Sequence, residues 1–174
     1  MNQRIFNAVS GRLSLRPPQS ESLLKLARAI DAAPDILKQE RDLGAVLAAL
    51  KAEFPTLTDF EREFPSLCFA LATGVGKTRL MGAFISYLHL AHGFRHFFVM
   101  APNLTIYDKL ITDFTPNTPK YVFKGIAEFA NYPPEIITGD NYEQRAGTIS
   151  LLSPVTVNIF NISKSGRAAG RERV

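Results

Sequence analysis

A short glycine loop between an apolar run and an amphipathic segment constrains this chain more than any other feature. Residues 66–72, Ser-Leu-Cys-Phe-Ala-Leu-Ala, form a continuous apolar run of strand length, which is typical of a strand buried on both faces. After the loop, apolar residues recur at helical spacing from Leu80 to Leu88, and a second apolar run occupies 96–101. This is a strand–helix–strand unit long enough for a parallel crossover, so the pattern predicts an α/β fold.

The loop itself has the composition of a phosphate-binding loop in the context that this motif requires. Glycines at 74 and 76 permit a tight turn in which successive N–H groups point at phosphate oxygens, and the following helix adds its positive dipole end. Lys77 can reach the β- and γ-phosphates, and the Thr78 hydroxyl can ligate a bridging magnesium ion. We therefore expect ATP and Mg²⁺ as cofactors, with Lys77 and Thr78 as catalytic residues. The expected cofactor-binding residues of the loop are Thr73, Gly74, Val75, Gly76, Lys77 and Thr78.

Residue 71 departs from the general phosphate-loop pattern, and this departure indicates which class of P-loop protein the loop belongs to. The pattern Gly-x-x-x-x-Gly-Lys-Thr has a glycine six residues before the lysine, where this chain has Leu71. Residues 72–78 read Ala-Thr-Gly-Val-Gly-Lys-Thr instead, which is the wording of a helicase-type loop. The sequence thus favours a motor ATPase over a small-molecule kinase.

The residues before the loop are predicted to be mainly helical. The pair Pro17-Pro18 can open a helix, whose apolar repeat runs from Leu23 to Ile30 until Pro34 breaks it. A second helix is predicted from Leu43 to Phe54. The spacing of Thr58 and Glu61 fits the capping box of a short third helix.

Beyond the second apolar run, helix and strand patterns alternate, as in a parallel sheet. A helix is predicted at Leu104–Phe114, and strands are predicted at Tyr121–Ile126, Glu135–Thr138 and Pro154–Phe160. The last stretch, 163–174, is basic and aperiodic, so we expect a mobile tail or a truncation boundary there.

Composition adds weaker constraints. With 174 residues and 46% hydrophobic content, the chain can bury the core of one ordinary domain. The net charge of +4 fits a phosphate-rich partner but does not require one.

Cys68 is the only cysteine, which excludes an internal disulfide and predicts a small apolar side chain buried on its strand. The three histidines, at 89, 92 and 96, lack a metal-ligand pattern and are expected to be solvated or at helix ends. No apolar stretch reaches membrane-spanning length, so the expected location is the cytoplasm.

Residues 66–114, and more loosely 13–161, resemble the first motor domain of superfamily 2 helicases, closest to the Res subunit of type III restriction enzymes, and four segments carry the match. Besides the phosphate loop, Leu15-Arg16-Pro17-Pro18-Gln19 looks like the segment whose glutamine reads adenine in that family, which implies Gln19 as a further cofactor-binding residue. Residues 99–104 are similar to motif Ia, which implies that Pro102 and Asn103 contact nucleic acid. Residues 157–164 resemble the strand and turn before the acidic box, which implies a nucleic-acid contact for Asn161.

The resemblance implies a three-layer P-loop (RecA-like) parallel sheet flanked by helices, as an incomplete first motor domain with an N-terminal helical segment. The expected divisions are 1–65 for the N-terminal segment, 66–162 for the partial motor domain and 163–174 for the tail. The implied partners are double-stranded DNA and a modification methylase subunit, with no membrane.

The acidic Asp-Glu pair that hydrolysis by this family needs does not end any apolar strand of the sequence. Asp140 lies in a loop-like context and Asp113 in a helical pattern, so neither replaces it. We therefore expect the chain alone to bind ATP but to hydrolyse little of it. Two alternatives stay open: a truncated, non-hydrolysing nucleotide- or DNA-binding module of the same fold, and an unrelated P-loop kinase or GTPase.

Overall fold

The computed structural model describes residues 1–142 and 155–162. The chain divides into two compact units, Met1–Leu80 and Met81–Val174. In chain order the elements are α1 (Gln3–Arg12), α2 (Pro17–Ala32), a 3-10 turn (Pro34–Leu37), α3 (Leu43–Glu53), α4 (Lys77–His92), β1 (His96–Ala101), α5 (Leu104–Phe114), α6 (Ala127–Asn131), β2 (Glu135–Thr138) and β3 (Thr156–Asn161). Among the described residues, no helix combines the length and the apolar character that crossing a membrane requires.

The first unit is built from α1, α2 and α3. Asn2 caps α1 by accepting from the N–H of Ile5, and Asp42 caps α3 by accepting from Gly44 and Ala45. Pro34 ends α2, as predicted. A buried apolar cluster lies between α2, α3 and the chain that follows α3; its members are Ala29, Ala33, Val46, Leu50 and Phe60.

A tight reversal joins α1 to α2. Ser14 has a φ of 48°, and its N–H donates to the carbonyl of Gly11 while the N–H of Leu15 donates to that of Ser10, at 3.0 Å each. This is a Schellman motif with a left-handed serine in the position that glycine usually takes. Only Leu15 and Arg16 separate it from the prolines that open α2, so the path of the chain here has little freedom.

The second unit contains a three-stranded parallel sheet in the order β1-β3-β2. Parallel pairing brings the carboxyl ends of the strands to one edge, where Ala101 is the register partner of Asn161 and Thr138 that of Ile159. Val157 and Ile159 are fully buried on one face, and α5 contacts β1 and β3.

The other face of this sheet exposes aromatic and thioether side chains. Phe98 and Met100 are 68% and 54% exposed. Phe160 of β3 stacks on Phe98 with ring centroids 5.2 Å apart, and Tyr142 meets the edge of Phe160 at 6.0 Å. The continuous apolar run of β1 therefore describes a strand buried on one side only.

Most of the predicted elements are confirmed. The helix at Leu104–Phe114 and the strands at 96–101 and Glu135–Thr138 have the predicted bounds, and β3 begins two residues after the predicted Pro154. Pro154 itself and the basic stretch 163–174 lie outside the described residues. Two of the histidines, His89 and His92, are in the last turn of α4, and His96 begins β1.

The predicted strand at 66–72 is wrong, because these residues are assigned to no strand. A parallel strand forms only where a neighbouring strand accepts its hydrogen bonds, and an apolar run carries no information about that neighbour. Leu67 instead packs against the cluster of α2 and α3. The burial predicted for Cys68 is wrong for the same reason, since its side chain is exposed.

Two shorter predictions are also wrong. No helix begins at Thr58. Asp59 accepts a hydrogen bond from the N–H of Glu61, and Glu61 adopts a φ of 52°, which is incompatible with a helix start. Residues 121–126 form turns instead of a strand. Their apolar side chains are buried within the aromatic contacts of Phe123, whose ring meets Phe114 at 5.5 Å and Phe129 at 4.7 Å. The apolar run therefore reflects burial and not an extended backbone.

Candidate functional site

The glycine loop enters α4 through two residues with positive φ. Gly74 has a φ of 82° and Gly76 a φ of 91°, a conformation that side chains with a Cβ rarely adopt. Lys77 is the first residue of α4, a 16-residue helix, and is exposed. Thr78, the next residue, is half-buried. The loop thus places a lysine and a hydroxyl at the positive end of a long helix.

Gln19, in the first turn of α2, is 1% exposed and binds this loop. Its Nε2 donates to the carbonyls of Val75 and Gly76, at 2.9 Å each, and its Oε1 accepts from the N–H of Arg16 at 2.8 Å. A Cβ at position 76 would lie 2.6 Å from the same Nε2. Glycine at position 76 is therefore favoured by its backbone conformation, and a larger residue there would also have to displace the end of the Gln19 side chain.

These carbonyl contacts fix which way the loop amides face. Arg16 Nη1 adds a longer bond to the carbonyl of Gly74 at 3.4 Å, so three successive carbonyls accept from the segment at 16–19. No described peptide bond is cis, and in a trans peptide the C=O and the next N–H point in opposite directions. The N–H groups of Val75, Gly76 and Lys77 therefore face away from Gln19, as a concave site for an anion requires.

A second arginine ties α4 to the reversal after α1. Arg79 Nη1 donates to the carbonyl of Leu13 at 2.8 Å, across 66 residues of sequence. Leu13 is the fully buried C-cap of α1. The first turn of α4 contains no acidic residue, so no carboxylate of that turn neutralises the positive charge of Lys77. This charge suits a polyphosphate.

The residues present fit a nucleotide with magnesium. The loop offers amides, Lys77 and a helix end to phosphate oxygens, and Thr78 offers a hydroxyl to a cation. Within residues 1–142 and 155–162, no group of three or more His, Cys, Asp or Glu could hold a metal ion.

The three predicted nucleic-acid contacts lie together at the carboxyl edge of the sheet in the second unit. Pro102 and Asn103 follow β1, and Asn161 ends β3 beside Ala101. Asn103 is the N-cap of α5, and its Oδ1 accepts from the N–H of Ile106 at 2.9 Å. Asn161 is 2% exposed, so its side chain is directed into the protein and not toward solvent.

Arg16 and Arg79 were not among the predicted site residues, although each contacts the loop or the segment beside it. A signal for Arg79 was present in the sequence. A cation in the first turn of a helix opposes the helix dipole, so an arginine two residues after the phosphate-loop lysine needs a carbonyl or an anion to accept from it. The identity of that partner depends on the fold and could not be read from the sequence.

The positive-φ glycines and the helix that starts at Lys77 are features of the P-loop class of proteins, whose motif joins a strand to a helix. The helix side of that motif is formed here, whereas residues 66–72 are in no strand. The family described as type III restriction enzyme, res subunit, matches residues 12–169. The chain belongs to that family, which confirms the resemblance drawn from the sequence. Membership implies a RecA-like P-loop fold and a helicase-like ATPase module, and the small parallel sheet with its helices is consistent with part of that fold. No match was found among curated proteins or among solved structures.

Proposed function

We propose that this chain is the ATP-binding part of an ATP-dependent DNA translocase or helicase-like subunit of a type III restriction-modification system. The observation that carries the proposal is the loop of Gly74 and Gly76, held by Gln19 at the start of α4. The family match supports the same conclusion and disfavours an unrelated P-loop kinase or GTPase.

In the proposed site, each loop residue has a role that follows from its chemistry. The amides of Val75, Gly76 and Lys77 bind phosphate oxygens, and the Lys77 ammonium balances charge on the β- and γ-phosphates. Thr78 is the protein ligand of Mg²⁺, which when bound neutralises charge on the same phosphates. Thr73 and Gly74 shape the entrance of the loop.

Adenine recognition by Gln19 is part of the proposal, and it would require Gln19 to lose one of its hydrogen bonds to the loop. Both amide hydrogens of Gln19 already bind the loop carbonyls, and only its Oε1 retains a second lone pair. A bound adenine would accept from Nε2 only if Gln19 released a carbonyl of Val75 or Gly76. Adenine contact and loop conformation are therefore coupled through one side chain.

Hydrolysis is proposed to be slow in this chain alone. The sequence contains no Asp-Glu pair of the kind that holds magnesium and orients the attacking water in this family. The alternative, a non-hydrolysing binding module of the same fold, rests on the same observation. Double-stranded DNA and a modification methylase subunit are the proposed partners, with Pro102 and Asn103 at the DNA side. Asn161 contacts DNA in this proposal only if its buried side chain turns outward.

The test is a measurement of ATP affinity and of ATP turnover on the 174-residue chain, with and without double-stranded DNA. Lys77→Ala is compared with Lys51→Ala, which removes an exposed lysine from α3. We expect wild type and Lys51→Ala to bind ATP equally, Lys77→Ala to bind at least about tenfold more weakly, and none to show DNA-stimulated turnover. Absence of ATP binding by wild type would contradict the nucleotide site, and DNA-stimulated turnover that depends on Lys77 would contradict slow hydrolysis.

A further inference from the structure

We infer that Arg79 is a positioning residue for nucleotide recognition, acting through Leu13 and Gln19 and not through the phosphates. The inference rests on the proposed ATP site. It adds to that site a residue outside the Gly-Lys-Thr motif, located in the first turn of α4.

Arg79 faces away from the phosphate side of its helix. Residues two apart on an α-helix are separated by about 200° around the axis, so Arg79 and Lys77 project in nearly opposite directions. The Arg79 guanidinium is already used, since Nη1 donates to the carbonyl of Leu13 at 2.8 Å. A direct phosphate contact would require the Arg79 side chain to reach the opposite side of its own helix.

The carbonyl that Arg79 binds is at the C-terminal end of α1, where helix carbonyls lack partners within the helix and the dipole is negative. The donor is a guanidinium, so this is a charge-assisted hydrogen bond. It joins the first turn of the phosphate-loop helix to the start of the reversal that contains Ser14.

The backbone between Leu13 and Gln19 has few accessible conformations, so the position of Gln19 depends on where Leu13 is held. The Schellman bonds fix Ser14 and Leu15, and Pro17 and Pro18 have restricted φ. Arg16 N–H then donates to Gln19 Oε1, which leaves Nε2 directed at the loop carbonyls. The bonds Arg79–Leu13 and Gln19–Gly76 thus join the same two segments, the first at a residue before the glutamine and the second at the glutamine itself.

This arrangement separates two functions of the site. The phosphates are bound by loop amides and Lys77, which do not depend on Arg79. The orientation of Gln19, and hence discrimination of adenine from other bases, depends on where the reversal is held. Loss of Arg79 should weaken base selection more than phosphate binding.

The experiment measures dissociation constants of the 174-residue chain for ATP, GTP and inorganic tripolyphosphate. Arg79→Met keeps the apolar stem and removes the donors, Arg79→Lys keeps one cationic donor, and Arg4→Met removes an exposed arginine from α1 as a charge-matched control. Circular dichroism melting checks that each variant is folded.

We expect Arg79→Met to weaken ATP about tenfold, to change tripolyphosphate less than about twofold and to reduce the preference for ATP over GTP. Arg79→Lys should recover part of that preference, and Arg4→Met should match wild type. Equal weakening of ATP and tripolyphosphate, an unchanged preference in a folded Arg79→Met, or a wild type without base preference would each overturn the inference. Failure of wild type to bind either ATP or tripolyphosphate would instead remove the proposed nucleotide site on which it rests.

Discussion

Gln19 donates to the carbonyls of both Val75 and Gly76 at 2.9 Å, from a helix more than fifty residues earlier in the chain. The contact makes the loop conformation and the start of α2 a single structural feature. It also makes the space for a side chain differ between the two loop glycines. A Cβ built on Gly76 would meet Gln19 Nε2, whereas nothing lies within 4 Å of a Cβ built on Gly74.

Alanine at position 76 should therefore cost more stability than alanine at position 74. Both residues have positive φ, so both substitutions incur backbone strain of about 1–2 kcal/mol. Gly76→Ala must also displace the buried Gln19 amide, which adds about 1–3 kcal/mol for hydrogen bonds lost without replacement. Urea denaturation of the two single variants measures the difference.

A double-mutant cycle identifies the cause of that difference. In a Gln19→Ala background the clash is absent, so Gly76→Ala and Gly74→Ala should differ by less than about 0.5 kcal/mol. A difference that persists without the glutamine would show that the close approach is not the reason.

A second glycine pair tests packing within the helices. A Cβ at Gly82 in α4 would lie 2.8 Å from the carbonyl oxygen and 2.9 Å from the Cβ of Val122, and neither atom belongs to a flexible chain end. Gly82→Ala should destabilise the protein by about 1–3 kcal/mol. Gly11→Ala in α1 meets nothing within 4 Å and should stabilise it by about 0.5–1 kcal/mol through helix propensity. Thermal melts of both variants check this, and a neutral Gly82→Ala would contradict the packing described for α4 and Val122.

The elements predicted correctly from sequence are those whose pattern is local. The helix at Leu104–Phe114 has an amphipathic repeat, and its bounds follow from the cap at Asn103. The strand at 66–72 failed because pairing with a neighbour is not a local property. The same limit applies to the site. The glycine loop could be recognised from its local sequence, but the atoms that Gln19 and Arg79 bind could not, because they are 56 and 66 residues away.

Asn103 combines a structural role with a proposed DNA contact, and two substitutions distinguish these roles. Asn103→Ala removes the cap of α5 and should cost about 1 kcal/mol in denaturant unfolding. Asn103→Asp keeps an oxygen for the N–H of Ile106, so stability should stay within about 0.5 kcal/mol. It also replaces an amide donor by a negative charge, and binding to double-stranded DNA should weaken, as fluorescence anisotropy would show. DNA affinity that is unchanged in Asn103→Asp would argue against a contact at this edge.

Tyr121 supplies a pH-dependent prediction. Burial raises the pKa of its phenol to about 12, and its hydroxyl has no hydrogen-bond partner among the described residues. The unfolded chain ionises near pH 10, before the folded one, so stability should be lost as the pH rises from about 10 through 12. Tyr121→Phe removes this group and should make stability less sensitive to pH in that range, while at neutral pH it should be at least as stable as wild type to within about 0.5 kcal/mol.

Tyr132→Phe is the matched control, because Tyr132 is 55% exposed. Guanidinium unfolding followed by circular dichroism at pH 7 and pH 10.5 compares the two variants with wild type. If Tyr121→Phe lost stability at pH 7 by more than 1 kcal/mol, the phenol would have a partner that contributes to folding. A phenol that stays neutral only in the folded state must make the pH profile of Tyr121→Phe differ from that of wild type. If the alkaline profile of Tyr121→Phe matched those of wild type and Tyr132→Phe, the ionisation of Tyr121 would not be coupled to unfolding.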